Sequence, residues 1–210
     1  MTIAGRDRLL VPGPAGVLEA IAHEPEGAAR PLYAIVCHPH PLQGGAMDNK
    51  VVYTVARALQ TSGVATLRFN FRGVGASEGS YDEGAGETQD AAAAADFGAA
   101  RWPNRRLVLA GFSFGAFVAL RLALARDTAR LITVAPPVGR FDFSALRAPA
   151  CPWLVVQGDA DDVVDPAAVI GWVERQDPKP TVLVIPGVGH FFHGHLAELR
   201  DAVIEAFRSG

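Results

Sequence analysis

Two cysteines in 210 residues, Cys37 and Cys151, are too few for a disulfide framework, and each lies beside an apolar run of the kind that buries a lone thiol. A reducing cytoplasm is the expected setting. No apolar run approaches the roughly 20 residues that a membrane-spanning helix needs. Met1 to Pro14 carries arginines and an aspartate but no apolar segment with a cleavage site, so secretion and membrane attachment are not expected. Neither sign of charge dominates: 19 Lys and Arg against 22 Asp and Glu give a net charge of −3, which leaves no electrostatic footprint for nucleic acid. Abrupt shifts in composition, internal repeats and low-complexity linkers are missing too, so residues 1–210 are expected to form one domain. His38, His40, His190, His193 and His195 lack zinc-ligand spacing, and Arg72-Gly73-Val74-Gly75 does not lead a G-x-G-x-x-G into a helix. Neither a metal nor another cofactor is expected, and no motif specifies an oligomeric state.

What the chain does have is alternation. Asp7–Val11 and Val17–His23 flank the turn-forming Pro12-Gly13-Pro14-Ala15-Gly16 and predict an antiparallel hairpin at a sheet edge. Leu32–Cys37 is a near-continuous apolar run, as expected of a strand covered on both faces. A helix is predicted from Asp48 to Gln60, capped by Asp48 or Asn49, with Val51, Val52, Val55 and Leu59 on its apolar face and Gly63 closing it. Val64–Phe71 is the next strand, followed by an irregular loop from Arg72 to Gly86 and an alanine-rich helix to about Ala100. Further strands are predicted at Leu131–Ala135, Trp153–Gln157 and Thr181–Ile185. Helices are predicted from Asp165 to Gln176 and from His195 to Phe207, the last able to pack on its own core or on a partner. Such alternation builds an α/β fold with a mainly parallel sheet and helices on both faces, in which active residues gather at the strands' carboxyl ends.

The chemistry centres on Arg106 to Leu120. A short apolar strand ends in Gly111-Phe112-Ser113-Phe114-Gly115, and Ala116–Ala125 is rich in helix-forming Ala and Leu. Ser113 therefore sits on a strand-to-helix turn, where flanking glycines allow the sharp bend and leave the hydroxyl projecting. Gly75-Ala76-Ser77-Glu78-Gly79 fits the same pattern but runs into a Gly- and acid-rich loop, so Ser77 is expected to be a polar loop residue. A nucleophilic serine needs a base to take its proton and an acid to orient that base. Asp159, Asp161, Asp162 and Asp165 crowd the loop leaving the penultimate strand, and His190 follows Gly187-Val188-Gly189 after the last one, ahead of His193 and His195. Asp165, before Pro166 and a helical pattern, fits an N-cap better than a catalytic role. Phe191 and Phe192 fit a pocket wall or the core.

The elbow at Ser113, the G-x-x-D at Gly158–Asp161 and the G-x-G-H at Gly187–His190 resemble those of the α/β-hydrolase superfamily. Cys37-His38-Pro39-His40-Pro41-Leu42-Gln43-Gly44-Gly45 with Met47-Asp48-Asn49-Lys50-Val51-Val52, and Arg68-Phe69-Asn70-Phe71-Arg72-Gly73-Val74-Gly75-Ala76-Ser77, look more narrowly like a compact bacterial group of the dienelactone-hydrolase type, over nearly the whole chain. That enzyme's nucleophile is cysteine, so lactone specificity is not carried over to Ser113. The resemblance implies a carboxylesterase-like serine hydrolase with Ser113, Asp161 and His190 as its triad, Asp162 standing next as the acid. It also implies an oxyanion hole from the backbone N–H groups of Phe114 and His40, with Leu42 as fallback because Pro39 and Pro41 have no N–H. Relatives often carry a cap domain after the strand at Leu131–Ala135, but Pro136 to Pro152 leaves room only for a loop and a turn of helix. A lidless site for small acyl esters is expected, with Arg72–Gly86 as one rim. A thioesterase or peptidase would share this triad; a metal-dependent hydrolase or a non-catalytic binding protein on the same fold are the remaining alternatives.

Overall fold

The computed structural model describes residues 7–208. Met1 to Arg6, part of the stretch read for a leader, and Ser209–Gly210 lie outside the described residues. Eight strands form one sheet in the order β1-β2-β4-β3-β5-β6-β7-β8. The expected hairpin is β1 (Asp7–Gly13) and β2 (Gly16–His23), and β2 pairs antiparallel with β4 (Ala65–Phe69). From β4 onward every pairing is parallel, through β3 (Leu32–Cys37), β5 (Arg106–Phe112), β6 (Arg130–Val134), β7 (Trp153–Gly158) and β8 (Thr181–Ile185). Their carboxyl ends therefore share one rim.

Helices cover both faces. α1 (Lys50–Thr61) and α5 (Leu196–Glu205) share a core with one face of the sheet, and α2 (Ala85–Arg101), α3 (Phe114–Ala125) and α4 (Pro166–Val173) share a core with the other. Asn49 settles the first cap: its side chain accepts the N–H groups of Val51 and Val52, and Val51, Val52, Val55 and Leu59 are buried. Burial of each such side chain stabilises the fold by about 1.5–3 kcal/mol. α5 packs on its own core through Leu199 and Val203, with Phe207 just beyond it.

Some local features differ from the sequence-based expectations, among them the end of α4 at Val173 rather than Gln176. α2 begins at Ala85, inside the expected loop, because the buried Glu87 carboxylate accepts the N–H groups of Asp82 and Gly84 and so supports the helix start. Arg72 fixes the same junction through Asp90 and the Gly86 carbonyl. Residues 135–152 contain turns and bends but no helical turn, and nothing in them forms a cap domain. Cys37 is fully buried, as expected, whereas Cys151 is only half-buried.

Candidate active site

The elbow is held by close backbone contacts. Ser113 has φ 53° and ψ −122°, in the positive-φ region that residues with a side chain rarely adopt. A Cβ on Gly111 would lie 2.1 Å from the Gly115 carbonyl oxygen, and one on Gly115 would lie 2.3 Å from that of Cys37. The two glycines thus let α3 start directly against β5 and let the end of β3 press on the turn. Ser113 stands at the helix N-cap without using its hydroxyl as a cap, which leaves that hydroxyl for other work.

Its partner is His190. The Ser113 hydroxyl lies 3.0 Å from His190 Nε2, and His190 Nδ1 lies 2.8 Å from Asp161 Oδ2. With the ring proton on Nδ1, His190 donates to Asp161 and accepts from Ser113. All three residues are buried or nearly so. Asp161 Oδ1 accepts the N–H groups of Val163 and Val164, and Oδ2 accepts a second bond from Gln157 at 3.1 Å. Burial alone would raise the Asp161 carboxyl, but the hydrogen bonds from His190 and Val164 outweigh it and hold the group below the usual carboxylate range.

The neighbouring candidates are placed elsewhere. Asp162 is exposed, and Asp165 caps α4 by accepting the Ala167 N–H at 3.0 Å. Asp159 accepts the Gly187 N–H at 2.6 Å, tying the acid loop to the histidine loop. His193 stacks on the exposed Phe191 ring, and His195, at the N-cap of α5, pairs with Glu198. Phe192 is buried core. Ser77, in the second G-x-S-x-G, accepts the Glu19 N–H and donates its proton to the Asn70 carbonyl, a bracing role.

The loop after β3 supplies the opposite wall. His38 is fully buried, its Nε2 accepting the Phe71 N–H at 3.0 Å and its Nδ1 lying 2.7 Å from the Pro39 carbonyl. That burial lowers its pKa to about 4, so the ring is neutral and braces the loop. Leu42 spends its N–H on His40 Nδ1 at 3.2 Å. Among the described residues, the N–H groups of His40 and Phe114 donate to no protein acceptor, and the two rings stand 5.2 Å apart. Phe114 N–H also opens α3, where the helix dipole favours negative charge. No group of three His, Cys, Asp or Glu side chains able to hold a metal ion occurs among the described residues.

Sequence reasoning passed over Gln157 and Tyr81. Gln157 carried a signal, being the polar residue that ends an otherwise apolar strand just before the acid loop. Tyr81, whose hydroxyl is 3.2 Å from His40 Nε2, carried none beyond its place in an irregular loop.

Comparison with known proteins places the chain in a family. A family model described as serine aminopeptidase, S33, matches residues 40–150. An uncharacterized protein of Rickettsia prowazekii is 37% identical over 201 residues, spanning 91% of this chain and 84% of its own length. A solved structure from Xanthomonas campestris, described as an a/b serine hydrolase without lid, is 47% identical with a TM-score of 0.94, covering 100% of this chain and 96% of that one. An alpha-beta serine hydrolase homologue from Coxiella burnetii is 43% identical with a TM-score of 0.93, covering 98% of this chain and 99% of that one. With an eight-stranded, mainly parallel sheet, an N-terminal antiparallel hairpin and no cap domain, the chain belongs to the α/β-hydrolase superfamily, in the serine hydrolase family described as serine aminopeptidase, S33.

Proposed function

We propose that this protein is a carboxylesterase-like serine hydrolase that cleaves small esters through an acyl-enzyme on Ser113. The observation that carries the reading is the unbroken hydrogen-bonded relay from Asp161 through His190 to a serine hydroxyl at a strained elbow. His190 Nε2 takes the Ser113 proton as Oγ attacks the ester carbonyl, and the anion that develops is held by the N–H groups of Phe114 and His40. Asp161, kept ionised by its hydrogen bonds, stabilises the imidazolium. His190 then gives the proton to the leaving alcohol. Water, activated by the same ring, releases the acid and restores Ser113. Apart from that water, each step uses only side chains and backbone groups of this chain, acting as one domain on small molecules; a cytoplasmic setting fits its two free thiols.

Amide cleavage is the second reading, favoured by the peptidase description of the matching family. The test is fluorophosphonate labelling with mass mapping, together with hydrolysis of short p-nitrophenyl esters, their thioester analogues and aminoacyl p-nitroanilides. Labelling is expected at Ser113, with esters cleaved fastest, and Ser113→Ala should abolish both labelling and turnover. Retained turnover in Ser113→Ala rejects the mechanism, and faster anilide cleavage replaces the esterase reading with the peptidase one.

A further inference from the structure

Beyond His40 lies a cleft that the relay does not use. Phe114, Phe117 and Arg121 follow one another at helical spacing on a single stripe of α3, which runs away from Ser113. Tyr81 from the β4–α2 loop and Phe141 from the β6–β7 connection close the sides, with His40 at the nucleophile's end. The cavity measures about 780 Å³, the size of a small-molecule site. Its walls are aromatic: the Phe141 ring lies 5.0 Å from that of Phe117, and 5.3 Å from that of the buried Phe114 behind them.

The far end carries hydrogen-bond donors. The Arg121 guanidinium lies 5.4 Å from the centre of the Phe117 ring, and among the described residues no carboxylate pairs with it or with Arg140 on the same rim. Arg140 uses its Nε on the Val163 carbonyl, which leaves the outer nitrogens of its guanidinium. Tyr81 adds a third donor. Because His40 Nδ1 accepts the Leu42 N–H, the ring proton sits on Nε2 and is given to the Tyr81 oxygen, so the Tyr81 hydroxyl keeps its own proton for a ligand. Two acids share the rim: Asp142 is engaged by the Ser144 N–H and hydroxyl, and Glu83 precedes Gly84, where a Cβ would lie 3.6 Å from an Arg121 nitrogen, but neither forms an ion pair with Arg121.

Arg121 is eight residues beyond Ser113, roughly 12 Å along the helix axis, and helical side chains lean back toward the N-terminus. An apolar arm from the scissile carbonyl would therefore run over the aromatic walls and end at the guanidinium. We propose that the site selects esters bearing a carboxylate at the far end of an apolar arm, roughly six carbons or one benzene ring long, and that Arg121 is the selecting residue. This rests on the serine hydrolase reading and adds the class of substrate to it.

The experiment compares kcat/KM, each corrected for the ester's spontaneous hydrolysis, for p-nitrophenyl hexanoate, mono-p-nitrophenyl adipate and p-nitrophenyl 6-aminohexanoate. Phenyl acetate and 4-acetoxybenzoate test the same preference on the alcohol side. The carboxylate is expected to be preferred roughly tenfold in one of the two series, the value of one charge-assisted hydrogen bond. Arg121→Gln should bring that ratio to near one. Arg147→Gln, an exposed charge on the β6–β7 connection but outside the cleft, should keep it. The proposal is overturned by equal rates in both series, by preference for the ammonium arm, by a ratio unchanged in Arg121→Gln, or by an equal loss in Arg147→Gln. No turnover of any ester and no labelling of Ser113 would instead remove the hydrolase reading itself.

Discussion

Asp161 and Asp162 are adjacent carboxylates with opposite surroundings. The first is buried and accepts bonds from His190, Gln157, Val163 and Val164, while the second faces solvent. Replacing Asp161 by Asn removes the charge that fixes the His190 tautomer and stabilises its protonated form, so kcat should fall by roughly 10⁴-fold. Asp162→Asn should stay within about twofold; steady-state kinetics on one ester checks both, and equal losses would mean that the acid is misassigned. Spacing alone placed four aspartates in that loop, because a turn with no periodicity does not reveal which side chain faces inward. Only the resemblance singled out Asp161. Ser113 and His190 stood out because each follows a recognisable strand, Ser113 directly after β5 and His190 in the short loop after β8. Tyr81 and Arg121 were not, since a cleft between three distant segments leaves no pattern in any one of them.

At the scale of elements, the alternation of apolar runs predicted every strand of the parallel sheet, because strands buried on both faces need unbroken apolar sequence. One boundary that moved was governed by a particular side chain: Glu87 drew the start of α2 forward into the loop. β8 shows the limit of composition as a guide. It is as apolar as its neighbours, yet as an edge strand it leaves Val182, Leu183 and Val184 well exposed. The junction of β3, β5 and α3 gives the sharpest test at this scale. Gly115 is confined by the Cys37 and His38 carbonyl oxygens, at 2.3 and 2.6 Å from a Cβ placed there. Gly115→Ala must push the β3 loop off the elbow, with an expected cost of about 1–3 kcal/mol and a fall in Tm of roughly 2–12 °C. The same shift carries His40 away from Phe114, so kcat should drop more than KM rises. An alanine variant with wild-type Tm and kcat would show that the contact is not limiting.

Across the whole molecule, the sheet separates two cores, and the site sits where loops from both sides meet at the strands' carboxyl ends. His38 joins those loops: it is buried at the end of β3, accepts the Phe71 N–H from just beyond β4, and packs its ring 4.5 Å from that of Phe71. Its folded pKa of about 4 lies below the 6.5 of an unhindered imidazole, so the unfolded chain binds its proton more readily than the fold does. The stability this contributes is fully present above pH 6.5 and is lost as pH falls toward 4. Between pH 7 and pH 5 the loss should reach about 2 kcal/mol, before most carboxylates begin to titrate. His40, also lowered by burial, acts in the same direction but is only half-buried. Urea unfolding across that interval isolates the effect by comparison with His38→Asn, which cannot be protonated. The variant should be less stable at pH 7, because the buried bond to Phe71 is weakened, and its stability should decline less steeply toward pH 5. Parallel curves for the two proteins would mean that the loop yields to admit the protonated ring, and that the brace between β3 and β4 is softer than its burial implies.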